Sequence, residues 1–104
     1  MSRLFGKNVL ITGASSGIGH ACALEFAKHG SQLILAARRT DRLSAISKEI
    51  TDKYPGTKIL AIGLDVTKRS YVFGEIASLP SDFSNIDILV NNAGLVIGGT
   101  VNLI

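Results

Sequence analysis

The 104-residue chain is 46% hydrophobic and 18% charged, with a formal charge of +3. This composition supports a packed core and excludes a disordered tail, and the length suits one small domain or part of a larger one. Its 11 Lys and Arg residues are scattered along the chain, so no basic stripe or stacking platform points to nucleic acid.

In chain order, residues 1–6 lead into a strand too soon to hold a signal peptide's apolar region and cleavage site. Residues 7–12 (KNVLIT) are short, apolar and β-branched and end in glycine-rich sequence, the pattern of a strand buried on both faces. Over residues 17–29, Ile18, Gly19, Cys22, Ala23 and Phe26 fall within an arc of about 140° at helical spacing, with Glu25 and Lys28 outside it and Leu24 an imperfection. This predicts a helix. Cys22 lies on the apolar arc and, as the single cysteine, has no partner for an internal disulfide or a metal cluster, so it is read as a small buried hydrophobe in a reducing compartment.

Gly30 is placed to end that helix, and residues 32–37 (QLILAA) form a second buried strand, paired in parallel through a right-handed crossover. Residues 41–53 carry Leu43, Ile46 and Ile50 on one helical face, with Thr40 or Asp41 as cap. A turn at 54–57 leads to a third strand at 58–64, in which Gly63 is a candidate for close backbone approach. A third helix is expected over 67–79 from Val72, Phe73, Ile76 and Leu79, weakened by about 1 kcal/mol at Gly74 and stopped by Pro80. Residues 81–85 read as a polar loop and 86–91 (IDILVN) as a fourth strand, after which no element is legible beyond Gly94. No apolar run reaches membrane-spanning length, so the expected setting is cytoplasmic, with no membrane partner.

The alternation defines an α/β fold, a parallel sheet flanked by helices, and in the doubly wound arrangement its strand order would be 3-2-1-4. Four unusual loops follow the four strands and therefore emerge at one carboxyl edge, where such sheets bind ligands. In the first, TGASSGIG at 12–19, Gly13 permits a tight turn, while Gly17 and Gly19 permit close approach of a phosphate to backbone and of helix to strand. Its spacing is G-x-x-x-G-x-G rather than the common G-x-G-x-x-G. In the second, Arg38 and Arg39 stand where an acid would read an adenosine ribose, and guanidinium groups suit a 2′-phosphate. In the third, Asp65 could accept from an adenine amino group or cap a helix, with Val66 against the ring. In the fourth, NNAG at 91–94 offers amides to bridge strand backbones and small residues that leave room for a ligand.

Together, TGASSGIG at 12–19, LDVT at 64–67 and DILVNNAG at 87–94 resemble the short-chain dehydrogenases/reductases over essentially the whole chain. The resemblance implies a three-layer Rossmann-type domain over residues 1–104, its N-terminal half only, binding NADP(H). It implies that Gly13, Ser15, Ser16, Gly17, Ile18 and Gly19 line the pyrophosphate, that Arg38, with Arg39 beside it, meets the 2′-phosphate, and that Asp65 and Val66 hold adenine. Asn92, Ala93 and Gly94 would lie along the ribose and nicotinamide. The AARR run and the stretch from Leu79 through LVIGG look most like NADP-dependent 3-hydroxy acid dehydrogenases, which include enzymes acting on serine and allo-threonine. A full-length parent would take a small-molecule substrate and is expected to be a homo-oligomer.

In that family a serine, a tyrosine and a lysine four residues after the tyrosine carry catalysis, downstream of NNAG. No catalytic residue is assigned within these 104 residues, and the chain alone is expected to be inactive, and poorly stable with strand four left as an apolar edge. The alternative is a non-catalytic nucleotide-binding or interaction module. Tyr54 and Lys58 match Y-x-x-x-K as letters, but Pro55 and Gly56 break the helix that would bring them together. His20 and His29 stand about 13 Å apart along one helix, too far to act as a pair.

Overall fold

The computed structural model of the chain describes residues 3–64, 74–92 and 102–103. Strands β1 (Asn8–Thr12), β2 (Gln32–Ala37), β3 (Ile59–Gly63), β4 (Ile88–Asn91) and β5 (Asn102–Leu103) form one sheet in the order β3-β2-β1-β4-β5. All four pairings are parallel. Helix α1 (Gly17–Lys28) links β1 to β2, and α2 (Thr40–Lys53) links β2 to β3.

Alternation along the strands divides the core in two. Val9, Ile11, Leu33, Leu35, Ile88 and Val90 face α1 and α2, where Ala23, Phe26, Leu43, Ile46 and Ile50 meet them. Leu10, Ile34, Ala36 and Leu89 face the other way, against Leu64, Phe83, Ile76, Leu79 and Ile86. Burial of each large aliphatic side chain contributes about 1.5–3 kcal/mol. Leu10, Ile34 and Leu89 are completely enclosed, so β1, β2 and β4 are covered on both faces and the architecture has three layers.

The expected order 3-2-1-4 is present, and β5 extends it. Asn102 and Leu103 pair with Ile88 and Leu89, so β4 is not the sheet's edge as the sequence suggested. Two residues are too short a run for periodicity to register. Helix α2 starts at Thr40, so Arg39 is its N-cap and supplies no side-chain cap bond; Thr40 and Asp41 lie in its first turn instead of capping it. Ile18, placed on the apolar arc from its spacing, is 70% exposed. It sits in the first turn of α1, at the sheet's carboxyl edge, whereas Leu24, outside that arc, packs against the core. Cys22 is half-buried against the same core. Of the third predicted helix, residues 74–77 are helical and 67–73 lie outside the described residues; the loop at 81–85 contains a 3-10 turn, Ser81–Phe83, that buries Phe83.

Asn8 opens β1 as a buried polar anchor at the amino edge. Its Nδ2 donates to the carbonyls of Asp82 (3.2 Å) and Asn85 (2.9 Å), and its Oδ1 accepts from Gln32 Nε2 at 2.8 Å. Its backbone N–H donates to the Asp87 carboxylate at 2.8 Å, and the Asp87 N–H returns a bond to the Asn8 carbonyl. These bonds fix where β4 begins, and they place Asp87 before the strand instead of in it.

Candidate functional site

The turn from β1 to α1 starts at buried Thr12 and reverses at Gly13, whose φ of 62° is left-handed and costs glycine little. Ser16 then caps α1. Its Oγ donates to the Gly13 carbonyl at 2.9 Å and accepts from the Gly19 N–H at 3.2 Å, satisfying one of the amides that every helix start leaves over. The first turn of α1 contains no acid, so the positive end of the helix dipole is not offset there.

The two glycines of that turn do different things. A Cβ on Gly19 would collide with the Gly13 carbonyl oxygen and stand 2.9 Å from the Ala14 Cα, so Gly19 lets helix and turn touch. A Cβ on Gly17 would meet no atom within 4 Å. The sequence had assigned close approach to both; here Gly19 carries the helix-to-turn contact, and Gly17 leaves open space above the helix start.

Asn92, immediately after β4, closes the turn from the other side. Its Nδ2 donates to the Gly13 carbonyl at 3.0 Å and to Ser16 Oγ at 2.6 Å. One amide therefore joins the fourth strand's loop to the first strand's turn, as the bridging role expected for NNAG requires.

Between the ends of β1, β2 and β3 opens a pocket of about 490 Å³ lined by Gly13, Ser15, Ala36, Ala37, Arg38, Arg39 and Leu64. Ala36 and Ala37 are buried and short, which leaves room above the sheet, while Arg38 and Arg39 are exposed. The pocket thus has an apolar floor, a backbone turn on one side and two guanidinium groups on the other. It brings together Gly13, Ser15, Arg38 and Arg39 from the sequence-derived set. Ser16, Gly17, Ile18, Gly19 and Asn92 build the adjoining helix start, and Asp65, Val66, Ala93 and Gly94 lie outside the described residues. Sequence reasoning missed Ala36, Ala37 and Leu64 as lining; for the two alanines the small-residue ending of QLILAA was the available signal.

A second groove, of about 550 Å³, lies at the amino edge among Lys28, Lys53, Tyr54 and Lys58. Its size does not make it the better candidate. Lys28 and Lys53 are the last residues of α1 and α2, where their charges complement the negative helix ends. The rejected Tyr54–Lys58 pairing falls here, far from the turn, with Tyr54 acting as C-cap of α2 and its ring facing Lys53 at 5.9 Å.

The histidines are held by helix-surface contacts: His20 meets Glu49 of α2 at 3.2 Å and His29 meets Glu25 at 3.3 Å. On α2 the Lys48 ammonium donates to Asp52 at 2.9 Å, which raises its pKa above the ordinary 10.5. That pair is solvated and stands apart from the pocket.

Sequence comparison now gives these features a family. The short chain dehydrogenase model matches residues 7–103, and the chain belongs to that family. It is 52% identical over 99 residues to an NADP-dependent 3-hydroxy acid dehydrogenase of Schizosaccharomyces pombe, covering 94% of this chain and 38% of that protein. It is 43% identical over 90 residues to the serine 3-dehydrogenase of Rhizobium radiobacter, covering 86% and 34%. Among solved structures, L-sorbose reductase from Gluconobacter frateurii complexed with NADPH and L-sorbose superposes with a TM-score of 0.79 at 41% identity, over 94% of this chain and 37% of that one. The chain thus spans little more than a third of the curated relatives' length. Among the described residues no helix is long and apolar enough to cross a membrane.

Proposed function

We propose that residues 1–104 form the NADP(H)-binding part of an oxidoreductase that interconverts a short 3-hydroxy acid and its keto or semialdehyde form. The observation that carries this reading is the 52% identity to an NADP-dependent 3-hydroxy acid dehydrogenase over 94% of the chain. Similarity to dehydrogenases favours an enzyme over a non-catalytic module.

The residues fit the cofactor. The helix start, with its free amides and open space at Gly17, suits a pyrophosphate. Gly13, Ser15, Ser16, Gly17, Ile18 and Gly19 would surround it, although the Ser16 hydroxyl proton already serves the Gly13 carbonyl. The pocket of about 490 Å³ suits an adenosine whose 2′-phosphate meets Arg38 and Arg39. Asp65 and Val66 would hold adenine, and Asn92, Ala93 and Gly94 would border ribose and nicotinamide. When bound, the nicotinamide supplies the hydride acceptor or donor. This segment's part is to hold and orient; the proton-transfer residues are assigned to a following catalytic segment, in a cytoplasmic homo-oligomer.

The test is turnover of the natural polypeptide carrying these residues. Reduction of NADP⁺ at 340 nm with serine or allo-threonine is expected, and absence of turnover with every 3-hydroxy acid supplied would refute the substrate class. The isolated 104-residue chain should give none.

A further inference from the structure

We propose that Gly63 is the positioning residue for the Arg38–Arg39 pair, acting through the Thr40 methyl group. The proposal rests on the reading of that pair as the 2′-phosphate contact.

The two arginines are the only residues between the end of β2 at Ala37 and the start of α2 at Thr40. Both ends of this short link converge on Gly63. Ala37 is its register partner in the β2–β3 ladder, and the neighbouring Leu64 N–H donates to the Ala37 carbonyl at 2.9 Å. Thr40 approaches from the other end, its Cγ2 lying 3.3 Å from where a Gly63 Cβ would stand.

The backbone of Gly63 does not demand glycine, since its φ lies outside the left-handed range; the demand is for space. The Thr40 methyl rests against the space that a side chain on the last residue of β3 would need, so a Cβ there would make it give way slightly. Because Arg39 provides no side-chain cap for α2, this seat helps fix the height at which the helix starts. The Arg38–Arg39 link is then strung between two neighbouring anchors at the end of β3, the Leu64 bond to Ala37 and the Gly63 contact with Thr40, and its placement above the Ala36–Ala37 floor follows from both. Gly63 had been singled out from the sequence as a point of close backbone approach; Thr40 is what approaches.

Kd values for NADPH and NADH, measured by fluorescence titration of the natural polypeptide carrying these residues, test the proposal. Loss of about half of one charge-assisted hydrogen bond is roughly a threefold change in affinity and loss of all of it roughly tenfold, so Gly63→Ala should lower the NADPH:NADH affinity ratio about threefold and Gly63→Val about tenfold, with NADH affinity little changed. Adding Thr40→Ser to Gly63→Ala removes the opposing methyl and should restore the ratio. A merely structural role would weaken both cofactors together and leave the ratio alone. A wild-type preference untouched in folded Gly63→Ala, or one that Thr40→Ser fails to restore, overturns this proposal only. A wild-type ratio near one overturns the arginine reading and the proposal with it. Should Gly63→Val not fold, the alanine variant and its rescue still decide.

Discussion

Asn92 and Gly13, 79 positions apart, are joined by a hydrogen bond from the Asn92 side-chain amide to the Gly13 carbonyl at 3.0 Å. That carbonyl also accepts from the N–H and hydroxyl of Ser16, so the turn between β1 and α1 is held by the loop of a distant strand. Asn92→Ala removes two donations, to Gly13 and Ser16, and should lower stability by about 1–2 kcal/mol at about 1 kcal/mol per bond. Cofactor affinity should fall as well, because the turn that faces the ligand loses its tie to the β4 loop. Asn92→Asp, which sets a carboxylate against a carbonyl oxygen, should be worse than alanine in urea denaturation and in cofactor titration. Equal behaviour of both variants and the wild type would show that the bridge holds neither the turn nor the cofactor.

Gly17 and Gly19 should respond oppositely to one methyl group. At Gly19 the new Cβ meets backbone atoms of Gly13 and Ala14 that have no flexible end to move, so Gly19→Ala should cost about 1–3 kcal/mol of stability, the usual range for overpacking. At Gly17 the methyl meets open space and alanine is the better helix former, so stability should hold or rise while cofactor affinity drops. Thermal denaturation beside cofactor titration separates the two; a Gly17→Ala variant with undiminished affinity would show that no ligand approaches there.

Asn8 offers a control at the opposite edge. Asn8→Ala leaves the Gln32 amide and the carbonyls of Asp82 and Asn85 without their partner, at a cost of about 2–3 kcal/mol. Its effect should appear in the urea midpoint and leave the NADPH:NADH affinity ratio unchanged. A shifted ratio would mean that the two edges are coupled.

The fold was largely legible because its signals are local and strong. Runs such as KNVLIT and QLILAA are continuously apolar at their centres, so they announce strands covered on both sides, and Leu43, Ile46 and Ile50 announce one buried helix face. The parts that were not legible depend on distance or context. Ile18 has the spacing of a core residue, and only the position of the first helical turn beyond the packed sheet exposes it. Asn8 reads as an ordinary polar residue at a strand start until Asp82, Asn85 and Asp87 arrive from more than 70 positions away. β5 is too short for a pattern and exists through its pairing with β4. Of the site, the glycine turn and the arginines were visible from their place after β1 and β2. The Asn92 bridge was visible only as a chemical possibility, and the division of labour between Gly17 and Gly19 needed the surrounding backbone.

If this edge of the sheet holds a dinucleotide bearing a 2′-phosphate, as proposed, Arg38 is the residue whose loss must show it. A charge-assisted hydrogen bond contributes about 1.5–3 kcal/mol, or roughly a tenfold to hundredfold change in affinity. Parallel titrations of the wild type and Arg38→Ala with NADPH and NADH should show a wild-type preference for NADPH that the variant loses by that factor, with NADH binding nearly unchanged. Equal wild-type affinities for the two cofactors, or an NADPH preference that survives in Arg38→Ala, would contradict it.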